Sequence, residues 1–387
     1  MVVIRPYVDS DYEATYRLRR LSFGGPHEPP PDTGQSPGGS SALVAHDDSG
    51  LAGFLRVWNY RQFFGGRAVS MGGVASVSVA PHARGSGVAG RLLVDALALM
   101  REQGQGISTL YPYVIPPYRR HGWEHVGTMQ TALVTLSELA GTPRSDVAVR
   151  PATEADLSAI HACYLNTAST VDGMLDRATP AFDLSRILEL DVVTVAPGPD
   201  GLRGYLSAGR PDGKRLRVFD LVAEDVDTAH ALLRQLGSWS GGITDANLRF
   251  VDHALLDLTV PGRLQRGLEV HDFMLRVVDL PVAVAARGWP AVAASKPFSV
   301  DIEITDEHAP WQAGRWRLIH EDGVVTAEPG GDGEVQLTGR ALGPWYAGSA
   351  TAASLRKAGL LTGPQEAAIA LDRLTGAPHP VHLAETF

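Results

Sequence analysis

The chain has 387 residues, 44% of them apolar, which is enough for two or three domains with real cores and excludes global disorder. A formal net charge of −9 argues against a nucleic-acid partner and favours small cationic molecules. The single cysteine, Cys163, excludes a disulfide framework and any cysteine-built metal site; it suits a reducing compartment, although a cysteine-poor protein can also be exported.

Met1 to Pro6 shows no basic region running into an apolar stretch, so no signal peptide is expected. No apolar run approaches the roughly 20 residues of a membrane helix, and a cytoplasmic protein is the expectation. Strand-like Val2–Arg5 leads through Pro6 to Asp9-Ser10-Asp11 and a helix that carries Tyr12, Tyr16 and Leu18 and ends near Phe23. The stretch Gly24–Ser40 is dominated by glycine and proline and reads as a surface loop. Strands follow at Ala42–His46 and Leu51–Trp58 around an Asp-Asp-Ser-Gly turn, with a third at Arg67–Met71. Val74–Val79 alternates as a further strand and stops before Pro81. A glycine loop comes next, and from Val88 the apolar residues Leu92, Leu93, Ala96, Leu97 and Met100 recur at helical spacing.

A strand, a glycine loop and a helix start bring unpaired backbone N–H groups together at the positive end of the helix dipole. Such a place binds anions, phosphate above all. The spacing is neither G-x-x-x-x-G-K-[ST] nor a Rossmann G-x-G-x-x-G. Arg84-Gly85-Ser86-Gly87-Val88-Ala89 instead resembles the acetyl-CoA pyrophosphate loop of GNAT N-acetyltransferases, [RQ]-x-x-G-x-[GA]. After a strand expected at Ile107–Tyr111, Tyr118-Arg119-Arg120-His121-Gly122-Trp123 resembles the GNAT Y-x-x-x-G-[FWY] signature, whose tyrosine projects towards the CoA sulfur. The resemblance implies that Arg84 and the backbone from Gly85 through Ser86, Gly87 and Val88 to Ala89 hold the pyrophosphate. It also implies that Val77 and Val79 pair with the pantetheine arm and that Gly24–Ser40 roofs the acceptor pocket. A strand at Thr131–Leu136 closes this first unit.

A second copy then begins. Arg150-Pro151 echoes Arg5-Pro6, and Val195-Ala196, four residues, Gly201-Leu202-Arg203-Gly204-Tyr205-Leu206 repeats Val44-Ala45, four residues, Gly50-Leu51-Ala52-Gly53-Phe54-Leu55. Where the glycine loop should recur stand Glu224-Asp225-Val226-Asp227, whose carboxylates would repel a pyrophosphate. The second copy is therefore expected to be structural. From Val282 the pattern becomes strands (Val300–Ile304, Trp316–Ile319, Val324–Ala327) and then helices (Ser349–Leu360, Pro364–Thr375), an α+β arrangement.

Two tandem GNAT-like units followed by such a domain resemble the Eis-type (enhanced intracellular survival) acetyltransferases, as do Met274–Pro281 before the third domain and Phe387 at the end. The fold class is thus expected to be α/β and α+β: a catalytic GNAT domain over 1–140, a degenerate GNAT-like domain over 146–281, both mixed sheets with flanking helices, and a sterol-carrier-protein-like domain over 282–387. The resemblance implies transfer of acetyl from acetyl-CoA to amines of polycations, aminoglycosides at several positions or protein lysines, by a homo-hexamer. It makes Tyr118 the general acid and brings the α-carboxylate of Phe387 into the first domain's site, where the central strand offers no Asp or Glu as base.

Histidines at H-x3-H spacing (His121 and His125) and the pair His379 and His382 lack a third ligand, so no metal is expected. Neither G-x-S-x-G nor H-E-x-x-H occurs, so a hydrolase is not indicated. From another class, a non-catalytic CoA sensor or lipid carrier built on the third domain remains the alternative.

Overall fold

The computed structural model describes residues 2–29, 39–210, 213, 215–249, 251–290, 297–377 and 379–387. Most of the loop expected over Gly24–Ser40, namely 30–38, lies outside the described residues. The chain runs β1 (Val3–Pro6), α1 (Tyr12–Phe23), β2 (Ser40–Asp47), β3 (Gly50–Phe64), β4 (Arg67–Val79), α2 (Val88–Glu102), β5 (Ile107–Leu110), α3 (Ile115–Arg120) and β6 (Glu124–Thr135). It then repeats this order: β7 (Arg150–Pro151), α4 (Leu157–Ala168), β8 (Val192–Gly198), β9 (Gly201–Gly209), β10 (Leu216–Ala223), α5 (Val226–Gly237), β11 (Asp245–Arg249), α6 (His253–Thr259) and β12 (Gln265–Val277). Element for element, the second run copies the first.

The repeated Arg-Pro pairs explain how each copy starts. Arg5 grips Asp11 with two 2.7 Å bonds, and Asp11 accepts from Val8 N at the helix entrance. Arg150 grips Asp156 with two 2.8 Å bonds, and Asp156 accepts from Thr153 N. One carboxylate thus satisfies an arginine and an orphan helix N–H in both copies.

The two runs share a single 12-stranded sheet, in the order β1-β2-β3-β4-β5-β12-β6-β11-β10-β9-β8-β7. The order of β6 and β12 was not foreseen. Each pairs with the other copy: β12 lies beside β5, Met274 opposite Leu110, and β6 lies beside β11, Thr135 opposite Asp245. The two exchanged strands also pair with one another from Gln265 to Leu275. The two copies are therefore strand-exchanged partners inside one chain.

A second sheet, β13 (Phe298–Thr305), β14 (Gly314–Glu321), β15 (Val324–Pro329), β16 (Val335–Thr338) and β17 (Leu361–Thr362), has the order β15-β14-β13-β16-β17. With it go α7 (Leu280–Ala286), α8 (Gly339–Ala347), α9 (Ala352–Lys357) and α10 (Gln365–Thr375). Trp345 and Tyr346 of α8 are wholly buried; the indole donates to Leu371 O and the phenol to Ala283 O. Two expectations change here: Ser349–Leu360 is helical only at α9, and α8 replaces what had no assignment. Arg67–Met71 and Val74–Val79 likewise fuse into the one strand β4.

Candidate active site

Strand β4 pairs with β3 along its whole length, but with β5 only where Met71–Gly73 face Ile107–Thr109. Beyond that point the parallel strands part, and the β5-facing edge of residues 74–79 is left without a strand partner. An unpaired edge accepts an extended, amide-bearing chain. Within it β4 carries a bulge: Ser76 and Val77 together face Leu55, and Ser76 adopts φ 54°. Only one other described non-glycine residue, Asp322, has positive φ. Ser78 Oγ donates to Ser76 O at 3.0 Å and holds the distortion.

At the end of β4, one 3-10 turn at Pro81–Ala83 leads into the glycine loop. Gly85 and Gly87 have φ of 80° and 83°, and a Cβ at either would meet nothing within 4 Å. Glycine is therefore required by the left-handed backbone rather than by crowding, and the space in front of the loop stays open. Val88 opens α2 with its side chain buried, while Ala89 reaches the groove. That groove, about 710 Å³, runs from Gly85, Gly87, Ala89 and Arg91 across to Pro117, Arg120 and His121. It fits an anionic, nucleotide-sized group: open N–H groups at a helix start with arginines alongside. Arg84 is exposed and turns back, its Nε donating to Val79 O at 3.5 Å. The arginines that line the groove are Arg91 and Arg120, which sequence reading did not single out. Ser86 Oγ is bound to Ala83 O at 2.7 Å and shapes the loop.

Tyr118 sits on α3, whose first turn holds Pro116 and Pro117, positions where no N–H is needed. It is 9% exposed, and burial pushes its phenol up to about 12. Its carbonyl accepts from the N–H groups of His121 and Trp123, closing the helix. The glycine of the Y-x-x-x-G-W motif has a distant cause. Gly122 has φ 92°, and a Cβ there would lie 1.4 Å from Nη1 of Arg276, a β12 residue buried beneath it. Arg276 donates to His121 O at 2.5 Å and to Asp306 at 2.9 Å, so one guanidinium ties α3 to the segment after β13.

Phe387 reaches the same place. Its ring lies 5.2 Å from Tyr60 and 5.6 Å from Tyr111, centroid to centroid, and a Cβ on Gly73 would strike it at 2.9 Å. Phe387, Tyr118, Tyr111, Phe23 and Val74–Val77 line one cavity of about 230 Å³. The tail that delivers it is anchored along its length: His379 Nε2 to Asp172 at 2.9 Å, His382 N to Asp172 O at 3.0 Å, and Tyr111 Oη to Glu385 O at 2.8 Å. Glu385 Oε1 in turn accepts from Tyr164 Oη at 3.0 Å and Arg177 Nε at 2.8 Å. Val77 and Val79 are half-buried on the open edge, and Val77 lines the cavity.

The corresponding start of α5 is closed. Asp225 caps it, accepting from Thr228 N at 2.8 Å, and Arg203 pairs with both Glu224 and Asp225. One of its N–H groups, that of Thr228, is already occupied by the protein's own carboxylate. Of the histidines at metal-like spacing, His121 stacks on His308 at 4.4 Å, His125 meets Asp272, and His382 stacks on His253 at 3.8 Å. Among the described residues no three His, Cys, Asp or Glu side chains converge as a metal site, and no helix is long and apolar enough to cross a membrane.

Comparison with known proteins identifies the family and the fold. Residues 3–126 match the acetyltransferase (GNAT) domain, and 280–384 match the sterol carrier protein domain. An uncharacterised N-acetyltransferase of Streptomyces coelicolor is 30% identical over 325 residues, 76% of this chain and 75% of the relative. One from Streptomyces avermitilis is 30% identical over 76% of each chain. A solved GCN5-related N-acetyltransferase from Kribbella flavida superposes with a TM-score of 0.87 at 28% identity, covering 100% of this chain and 98% of that one. Eis1 from Mycobacterium abscessus shares the fold, with a TM-score of 0.78 at 21% identity over the whole of both chains. The chain is an acetyltransferase: it belongs to the GNAT family of N-acetyltransferases and carries a sterol carrier protein domain at its C-terminal end.

Proposed function

We propose that the protein transfers acetyl from acetyl-CoA to a primary amine in the cavity shared by Tyr118 and Phe387. The observation that carries this is that helix α3 lines two cavities: with Tyr118 the one that holds the open edge of β4 and Phe387, and with Pro117 the groove of the positive-φ loop at the start of α2. The pyrophosphate would rest on the N–H groups at Gly85–Ala89, with Arg91 and Arg120 alongside and Arg84 at the margin. Pantetheine would lie along Val77 and Val79, and a β4 N–H beside the Ser76 bulge would receive the oxyanion.

Tyr118 is the proton donor to the departing thiolate in this reading. A phenol pushed to about 12 looks too weak for a thiol with a normal value near 8.5. Burial moves the thiol the same way, however. Donor and leaving group stay matched if both are removed from water. The α-carboxylate of Phe387 is the group that orients the incoming ammonium and takes its proton.

For the acceptor, the resemblance to Eis-type enzymes points to polycations, aminoglycosides or protein lysines, and to a hexamer. One observation favours a narrower reading. The described walls of the cavity are rings and β4 backbone, with no side-chain carboxylate among them. A single amine on an apolar or aromatic body suits such walls better than a polycation. Thiol release from acetyl-CoA, measured against amines of both kinds with product masses counting the acetyl groups, decides between them. Binding of acetyl-CoA without thiol release under every amine would return the protein to the sensor class; light scattering gives the oligomeric state.

A further inference from the structure

The second copy has lost its phosphate cradle but kept a cavity where the first copy holds its acceptor site. About 260 Å³ in size, it lies between α4, the 182–190 segment that follows it, and strands β9 and β10. Of these, α4, β9 and β10 are the counterparts of α1, β3 and β4 in chain order. Its walls are mostly apolar, among them Ile160, Ile187 and Phe219.

At the floor is a charged cluster. Arg177 spends its NH groups on Asp220, at 2.7 and 2.8 Å, and its Nε on Glu385 Oε1 at 2.8 Å. Asp220 also accepts from Tyr205 Oη at 3.1 Å, so its oxygens are satisfied. Glu385 is only 7% exposed, and its second oxygen, Oε2, has no hydrogen-bond partner. His161 Nε2, on the facing helix, is likewise buried without a partner. Two carboxylates therefore share one guanidinium, and one buried carboxylate oxygen lacks a donor. A buried acceptor left so is costly, and an ammonium is the strongest donor a small molecule can bring to it. The opposing charges on its walls, besides Arg177, are Arg249, whose Nε is committed to Phe219 O at 3.0 Å, and Arg186, which pairs with Glu189 at 3.5 Å.

We propose that this pocket binds a small primary amine with an apolar body, its ammonium donating to Glu385 Oε2 and its body lying against Ile160 and Ile187. Because the backbone of Glu385 is also the anchor for the Phe387 tail, the occupant would sit directly behind the active site. The site is separate from the acceptor cavity: the two share no lining residue.

Calorimetric titration of the full chain tests it, with 2-phenylethylamine, 2-phenylethanol and 3-phenylpropanoate as probes. The first-copy cavity is filled in every sample by Ala75→Phe, so that binding there does not intrude. In this background the amine should bind at one equivalent, the alcohol at least tenfold more weakly, and the carboxylate not at all. Glu385→Gln should weaken the amine tenfold or more while leaving the alcohol within about threefold, a contrast that mere structural damage would not give. Ile160→Trp, which fills the pocket, should abolish amine binding. If Ile160→Trp does not fold, as judged by circular dichroism, the probe comparison and Glu385→Gln still decide. No amine binding in the Ala75→Phe background, binding unchanged in Glu385→Gln, or binding of the carboxylate in preference through Arg249 would each overturn the proposal.

Discussion

Tyr111 and Glu385 stand 274 residues apart, yet the hydroxyl of the first donates to the carbonyl of the second at 2.8 Å, and the same tyrosine ring flanks Phe387. A neutral hydrogen bond of this kind contributes about 1 kcal/mol. Tyr111→Phe should therefore loosen the tail without disturbing the glycine loop. The expected result is a several-fold fall in kcat with acetyl-CoA affinity unchanged. Appending residues after Phe387 is the harsher form of the same test. It displaces the carboxylate while every native side chain remains, and acetyl transfer should collapse. A fully active extended protein would exclude Phe387 from catalysis.

The glycine loop and its degenerate counterpart make a paired prediction. Gly87→Glu places a bulky anion on a residue at φ 83° that faces the groove, and acetyl-CoA affinity should fall tenfold or more, at least about 1.4 kcal/mol. Asp225→Arg removes the cap of α5 and should lower stability by about 0.5–2 kcal/mol while leaving acetyl-CoA affinity untouched. Calorimetry on both variants, with urea melts on the second, separates the two effects.

Tyr118→Phe should lower kcat by roughly 10²- to 10⁴-fold with little change in acetyl-CoA affinity. The buried ring keeps its packing and only the proton is lost. A variant with full kcat would make Tyr118 a packing residue.

These site residues differ in how visible they were. Gly85 and Gly87 are legible because their cause is local: the backbone there needs positive φ. Tyr118 was found by its spacing to Gly122, but the reason for that glycine, Arg276, lies on another copy's strand and leaves no local trace. The exchange of β6 and β12 was invisible for a related reason. Alternation fixes which face of a strand is buried and says nothing of which neighbour it pairs with. Helix α8 escaped because every one of its residues except Arg340 is buried, so no polar face marks a period, and Gly343 and Pro344 read as breakers. The motif position of Arg84 does not reveal that its exposed side chain turns back to Val79 O at 3.5 Å.

Arg276 offers a test of the exchanged architecture. It and Asp306 form an ion pair whose side chains are 1% and 3% exposed. Removing one partner strands a buried charge, so Asp306→Ala should destabilise the protein by about 3–5 kcal/mol in urea titration. Gly122→Ala should be severe as well, because its Cβ overlaps the same guanidinium.

The tail also carries a pH dependence. The bond to Asp172 raises the pKa of His379, and burial and Arg287 oppose this only in part. Since the folded value lies above the unfolded one, the added stability is complete below about pH 6.5 and is lost as pH rises through the folded pKa. Hydrogen exchange at residues 379–387 should therefore speed up, beyond its intrinsic pH dependence, on passing from mildly acid to mildly alkaline buffer. In His379→Gln that additional change should vanish.

Strand exchange has a consequence for how the molecule comes into being. As the chain leaves the ribosome, β5 emerges with its neighbour β12 still about 150 residues away, and β6 must wait for β11. The catalytic half therefore cannot complete its sheet as an independent N-terminal unit, in contrast to the usual vectorial folding of tandem domains. Its edges stay open until residue 277 has been made, and Phe387 arrives more than a hundred residues later. A nascent chain stalled before β12 would expose two unsatisfied strand edges, those of β5 and β6 that β12 covers in the finished sheet.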